Sequence, residues 1–309
     1  MNRRYLIARI AYALSLWAGV VVATFLLFHV VPSDPARTML GPNASAQQVD
    51  TLRRELGLDQ ALHRQLTDYF GSAVRFDFGR SFVDRRPVGE EVAQRLAVTA
   101  TLAGLATSFT VLYLLLCIAL GSQLPRLIRV LNTAWVAGPT LFSAMVLALL
   151  AVQYYPYTRF SGRDALLGDL LFLLPPALAL ALYPMGVLGR ILDAEFSDLL
   201  RSDFVRTARS LGQSEPAVRY RHMLRNALVP LIAAYGVQLP LLLTNTFVVE
   251  VIFSVPGVGT LLLRSVLERD LPMLTGIAIA MAAFVLLLYL LLDVLYAVVD
   301  PRIGRARDG

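Results

Sequence analysis

PMLTGIAIAMAAFVLLLYLLLDVLYAV, residues 272–298, carries one charged side chain, Asp293, in a run longer than the roughly 20 apolar residues that cross a bilayer. In hydrocarbon a backbone satisfies its own N–H and C=O groups over that length only as a helix, so this run sets the fold class as all-α and membrane-spanning. Working outward, five further runs read the same way, at about 8–31, 97–121, 130–152, 166–188 and 227–250. The expectation is a polytopic membrane protein with about six transmembrane helices. Asp169 and Asp293 fall near the ends of their runs and read as interfacial.

Composition agrees. The 309-residue chain is 57% hydrophobic and 16% charged, where soluble domains run at about 45–50% and 25%. Its mean hydropathy is +0.62. It contains no lysine, so all 28 basic residues are arginine. A phosphate-cradling P-loop, a Schiff-base lysine and a Ser–Lys dyad are thereby excluded within this chain, and any ATP hydrolysis must come from another polypeptide. The net charge of +6 reflects arginine gathered on the cytosolic side for topology, and no nucleic-acid partner is expected. Cys117 reads as a small buried hydrophobe. His29, His63 and His222 are scattered without helical spacing or a carboxylate cluster, so neither a metal site nor a cofactor is expected in this chain.

Arginine placement orients the spans. With the N-terminus inside, Arg3, Arg4, Arg9, Arg126, Arg129, Arg190, Arg201, Arg206, Arg209, Arg219, Arg221, Arg225, Arg302, Arg305 and Arg307 all fall on the cytosolic side. The two short outer loops hold only Arg159, Arg163, Arg264 and Arg269. Both termini are expected to be cytosolic. The organisation is then a first transmembrane helix over 1–31, an extracytoplasmic helical cap over 32–96, a core over 97–300 containing a cytosolic docking loop at 189–226, and a cytosolic tail at 301–309. In the cap, Ser45 is placed to cap a helix over 46–56 that stops at Gly57. A second helix there puts Leu62, Leu66, Tyr69, Phe70 and Val74 on one side.

The stretch between the fourth and fifth spans, EFSDLLRSDFVRTARSLGQSEPAVRYRHMLRNALVPLI at 195–232, is the polar exception in an apolar chain. Phe196, Leu199, Leu200, Phe204, Ala208 and Leu211 recur at threes and fours and predict one amphipathic helix, with Arg201, Arg206 and Arg209 elsewhere on it. Gly212 stands where a left-handed residue would end that helix, and Ser214-Glu215-Pro216 starts another, which runs into the fifth span at about Leu228. From the residues alone, this helix-turn-helix either lies on anionic headgroups or is gripped by a soluble partner.

Arg206-Thr207-Ala208 with Gly212, then Arg221-His222, Arg225-Asn226-Ala227 and Pro230, resemble the EAA loop of binding-protein-dependent ABC importer permeases of the dipeptide, oligopeptide and nickel branch. Pro32-Ser33-Asp34-Pro35, Asp77-Phe78-Gly79-Arg80-Ser81, Phe253-Ser254-Val255-Pro256-Gly257-Val258-Gly259 and Asp293-Val294-Leu295-Tyr296 with Asp300-Pro301-Arg302 are similar to further motifs of that branch, in the same order. The resemblance implies a type I importer permease fold and a subunit that works by alternating access. It also implies four kinds of partner: a second homologous permease, two cytosolic ATP-binding subunits, an extracytoplasmic substrate-binding protein and membrane lipid. Arg206, Thr207, Ala208, Gly212, Ser214 and Arg221 would dock the ATPase. The chain departs from the family pattern in having Arg206 at the EAA glutamate position, only a brief loop from Gly121 to Arg129, and no Pro-Val-Gly element at 153–157.

A self-contained secondary transporter or channel is the rival reading. It calls for charged groups at mid-membrane and broken helices, for which Pro175-Pro176, Pro184 and Pro240 are the candidate breaks. Gln238 and Asn245, seven residues apart in the fifth span, share a face and either line the pathway or bond between helices. With only His29 and Cys117 as soft ligands along the spans, the cargo is expected to pass as a peptide or a ligand-wrapped metal rather than a bare ion.

Overall fold

The computed structural model describes residues 3–30, 45–55, 59–121, 123–154 and 166–299. The Pro32–Pro35 turn, the Gly57 stop, the outer loop from 155, the tail from 300 and the side chains of His29 and Asp169 lie outside the described residues. Helices run over α1 Arg3–Val30, α2 Ala46–Glu55, α3 Leu62–Val74, α4 Val88–Leu120, α5 Pro125–Ala137, α6 Thr140–Tyr154 and α7 Leu166–Leu199. They continue with α8 Asp203–Ser210, α9 Glu215–Phe253, α10 Val258–Leu267 and α11 Leu271–Val299. Among the described residues there is no strand, only an isolated bridge between Arg80 and Pro87. Ile7–Leu27, Val88–Leu120, Leu170–Leu199, Glu215–Phe253 and Leu271–Val299 are each long and apolar enough to span.

The expected third span is not one helix. α5 and α6 meet at 101°, because Gly138-Pro139 interrupts the run: proline disfavours a helical residue before it, and glycine readily takes the extended conformation seen there, with φ −78° and ψ 118°. By contrast Pro175, Pro176 and Pro184 sit inside α7, and Pro230 and Pro240 inside α9, without ending either helix. In membrane helices neighbouring groups satisfy the carbonyls that proline frees.

The chain divides into two compact units, one of residues 98–260 with 291–309, the other of 2–97 with 261–290. In the second unit, α3 packs on α1. Trp17 meets Phe70 edge-on at 5.9 Å and Phe25 meets Tyr69 at 5.7 Å, and the Trp17 indole N–H donates to the Ile279 carbonyl at 3.3 Å. The expected face of α3 needs correcting at its ends: Leu62 and Val74 are exposed, and Ala73 is the residue that buries against Val21 and Ile279. A thirteen-residue helix turns its stripe enough over its length to carry its end residues off the contact. Ser45 and Gln48 form a reciprocal cap on α2, the Gln48 N–H reaching the Ser45 hydroxyl at 3.3 Å and the Ser45 N–H reaching Gln48 Oε1 at 3.0 Å.

In the first unit α7 is the hub for α5, α6 and α9. Its buried face is built from small residues, Ala177, Ala179 and Ala181, with Leu180, Leu188 and Leu192. Lipid is as apolar as leucine, so close backbone approach and dispersion drive such packing. A side chain on Gly186 would come within 2.8 Å of Trp135 Cβ, and one on Gly189 would overlap the Asn132 amide. The two glycines therefore let α5 lie against α7, where Asn132 accepts a hydrogen bond from the Tyr113 hydroxyl at 2.5 Å.

Candidate functional site

The polar stretch after α7 folds into a small platform with its own core. The single amphipathic helix expected over 196–211 is broken: α7 carries Phe196 and Leu199 to its end, residues 200–202 turn, and α8 begins at Asp203. Ser202 marks the restart. It sits in extended conformation at the N-cap, its hydroxyl donating back to the Leu199 carbonyl rather than capping α8, and Asp203 supplies a negative charge in the first turn. The break also changes the buried face. Val205, Ala208, Val218 and Met223 close on one another against Phe196 and Leu199, while Phe204 and Leu211 are exposed.

Gly212 ends α8 with φ +75°. Its N–H reaches the Arg209 carbonyl at 2.9 Å and the next N–H, of Gln213, reaches Ala208 at 3.3 Å, the paired bonds of a Schellman turn. Arg209 then bridges the turn to Glu215 at 2.8 Å, and His222 bonds Gln213 at 2.8 Å. Ser214 lies at the N-cap of the next helical segment, but its side chain makes no capping bond. That segment is the start of α9; it passes through a π turn, Val218–Met223, and continues without a break, so the helix that carries the fifth span begins well before Leu228, at Glu215. The π turn rotates Val218 and Met223 together into the small core. Arg219 ties the platform down, its guanidinium donating to the Ile118 carbonyl at 3.2 Å near the C-terminal end of α4, where a cation is favoured.

Of the residues singled out from sequence, Arg206, Thr207, Gly212, Ser214 and Arg221 are exposed on the platform. Ala208 is not; it is part of the small core. Arg206 pairs with Asp203, at 3.8 Å and largely in solvent. Gln238 and Asn245 are both half-buried along α9. The platform adjoins a cavity of about 80 Å³ lined by Cys117, Gly189, Asp193, Ser197 and Arg219, far below the roughly 300–1,000 Å³ of a ligand pocket, so it is not a cargo site.

Two buried carboxylates escaped sequence reasoning. Glu250, fully buried near the end of α9, receives the Thr99 hydroxyl on Oε1 and the Gly259 N–H on Oε2, both at 2.6 Å. Thr99 in turn accepts from the Val258 N–H at 2.9 Å. Asp270, in the other unit, receives the Ser81 hydroxyl on Oδ2, and the N–H groups of Phe82 and Met273 at 3.2 and 3.4 Å on Oδ1, so it caps α11 and staples the 79–88 loop. Beside it, burial pushes the Asp84 carboxyl up. The Arg86 N–H, the Ser81 hydroxyl and the Arg86 and Arg264 guanidiniums outweigh that and hold it below the usual value. Each acid had a signal: Glu250 is a charge inside an apolar run, followed closely by Ser254-Val255-Pro256-Gly257, and Asp270 immediately precedes a long run at the N-cap position.

Residues 114–305 match the family described as the binding-protein-dependent transport system inner membrane component, and residues 2–103 match the N-terminal component of such systems. The chain is 35% identical over 319 residues to a protein of Brucella melitensis biotype 1 named provisionally as a peptide transport system permease, across 98% of this chain and 99% of the relative. It is also 35% identical over 312 residues to the glutathione transport system permease protein GsiC of Escherichia coli K12, across 97% of this chain and 98% of that one.

Proposed function

Because this chain belongs to the family of inner membrane components of binding-protein-dependent transport systems, with the all-α fold of a type I ABC importer permease, we propose that it forms half of a pathway for peptides, opened and closed by partner ATPases. The working unit is this subunit, a homologous sister permease, two cytosolic ATP-binding subunits and an extracytoplasmic binding protein that delivers cargo. Both termini and the 200–225 platform face the cytosol, in keeping with the arginine distribution. The names of two relatives, one a peptide and one a glutathione permease, support a peptide cargo. The metal-chelate alternative rests on the branch resemblance alone.

The observation that carries the docking role is the platform's own core. A segment lying on headgroups would turn its apolar side chains into the lipid boundary. Here Val205, Ala208, Val218 and Met223 are turned inward on one another, and the exposed surface they hold in place mixes Phe204 and Leu211 with Arg206, Thr207, Gly212 and Arg221, a set of apolar and basic groups suited to a folded protein partner. Since the platform continues directly into α9, a displacement imposed on it by closing ATPases is carried into a span, which is what alternating access requires. Against the secondary-transporter rival, the buried Glu250 has both oxygens occupied by Thr99 and a backbone amide, a fixed arrangement rather than an open ion site. The test is cross-linking: a cysteine at Thr207 in a Cys117→Ala background should join the ATPase subunit in the assembled complex, with a yield that changes on ATP binding. Labelling of the same cysteine by lipid-phase reagents, with no ATPase adduct in any nucleotide state, would refute docking at this surface.

A further inference from the structure

We propose that Glu250 is a positioning residue for transport: its carboxylate clamps the far end of α9 to Thr99 of α4 and to the first turn of α10, so that movement of the docking platform is delivered to the outer end of the subunit. The inference rests on the permease reading above and extends it to a residue outside the docking surface.

α9 is a single helix of 39 residues, Glu215–Phe253, including its π turn, and at 1.5 Å per residue it is close to 60 Å long. Its first turns are part of the platform and its last turns carry Glu250. The helix is continuous through Pro230 and Pro240, so a displacement at its start has a path to its end, but the chain beyond it is carried along only if something other than the connecting turn holds them together. After Phe253 the chain reverses. Ser254 adopts φ 53° and the Val255 N–H closes on the Glu250 carbonyl at 2.8 Å, ending the helix in a left-handed residue that is not glycine. The side chain of the same Glu250 then holds the start of the next helix. Oε2 takes the Gly259 N–H in the first turn of α10, Oε1 takes the Thr99 hydroxyl, and Thr99 takes the Val258 N–H. Three chain segments thus converge on one carboxylate, and the start of a helix is a favourable place for negative charge.

The surrounding sequence is shaped by this contact. A side chain at Gly257 would overlap the Glu250 carboxyl, and one at Gly259 would overlap Phe247 and lie 2.9 Å from Oε2. Thr99, Val255, Val258 and Glu250 are all inaccessible to solvent, so no water can replace a lost partner, and a buried group left without one is costly. A packing role alone would be met by an apolar side chain of similar volume; the placement of three donors about one carboxyl and one hydroxyl would not.

The experiment uses the complete complex with its sister permease, ATPases and binding protein, reconstituted in proteoliposomes. Uptake of an isotopically labelled peptide digest and ATP hydrolysis are measured together for Glu250→Gln, Thr99→Val and Thr99→Ser. With the clamp weakened, Glu250→Gln and Thr99→Val should assemble and keep basal ATPase activity within about twofold, while peptide imported per ATP falls about tenfold. Thr99→Ser, which retains the hydroxyl, should stay near wild type. Unchanged uptake per ATP in the first two variants overturns the proposal, as does an equal loss of uptake and hydrolysis. If Glu250→Gln fails to assemble, Thr99→Val decides; if neither assembles, the cluster serves folding and the proposal is wrong. Absence of ATP-dependent uptake by the wild-type complex would instead refute the permease reading itself.

Discussion

Replacing Gly212 separates backbone conformation from side-chain bulk. Gly212 has φ +75°, and a Cβ added there would meet nothing within 4 Å. Within the subunit the cost of Gly212→Val is therefore conformational, about 1–2 kcal/mol for forcing a side chain into the left-handed region, with a β-branched residue at the upper end. That strain acts on the two bonds that close α8, at 2.9 and 3.3 Å, and on the small core they position. It lowers the population of the native turn relative to its alternatives by roughly 5- to 30-fold. The spans are untouched, so membrane insertion and subunit yield should match wild type, while ATPase activity stimulated by the loaded binding protein should collapse. Gly212→Asn is the informative companion, because asparagine visits the left-handed region readily. It should retain the turn, and any loss it shows measures how closely the partner approaches the bare backbone. The assay is co-purification of the complete complex followed by stimulated ATPase and uptake rates. Wild-type coupling in Gly212→Val, with assembly intact, would refute the reasoning.

Asp270→Ala removes the acceptor for the Ser81 hydroxyl and two N–H groups; at about 1–3 kcal/mol for buried orphaned donors, it should lower the melting temperature in detergent by several degrees, and an unchanged melt would contradict the staple. Because the Asp84 pKa lies below its ordinary 3.8, its contribution to stability should be full above about pH 5 and lost as pH falls through the depressed folded value; Asp84→Asn should flatten that acid limb in melts across the range, and persistence of the same limb would assign it elsewhere. Gly189→Val forces overlap with Asn132, whereas Gly104→Val meets open space; the first should cost about 1–3 kcal/mol and the second almost nothing, as read by thermal melting, and equal stability of the two would contradict the close approach of α5 to α7. Arg206→Glu should be mild, within about tenfold in coupling, since its partner Asp203 is 3.8 Å away and exposed; complete loss would mean a buried contact with the ATPase.

The membrane architecture was legible because hydrocarbon leaves a long apolar run little choice but helix. What composition could not report was where those helices end. α4 starts at Val88 and α9 at Glu215, because polar turns outside the lipid extend a helix without changing the apolar count. The broken third span had its signal in Gly138-Pro139, a dipeptide that marks turns, but the apolar residues on both sides mask it. In the polar stretch after α7 Gly212 declared the left-handed turn, since few other residues fit there. The buried face differs from the expected one because Ser202-Asp203, a helix start, falls within a stretch whose threes-and-fours spacing runs straight through it, and the restart shifts the face from Phe204 to Val205. Glu250 stood out as a charge inside an apolar run, but its role was hidden for a different reason. Its partners are the side chain of Thr99, distant in sequence, and backbone N–H groups near Gly259, and no local pattern reports a contact between residues so far apart.

The most direct test of the central claim is uptake by the reconstituted complex of this chain with its sister permease, ATPase pair and binding protein. Peptide accumulation inside proteoliposomes should require ATP, the binding protein and both ATPase subunits, and should stop when any one is omitted. Accumulation driven by an ion gradient through this chain without the ATPases would contradict the account.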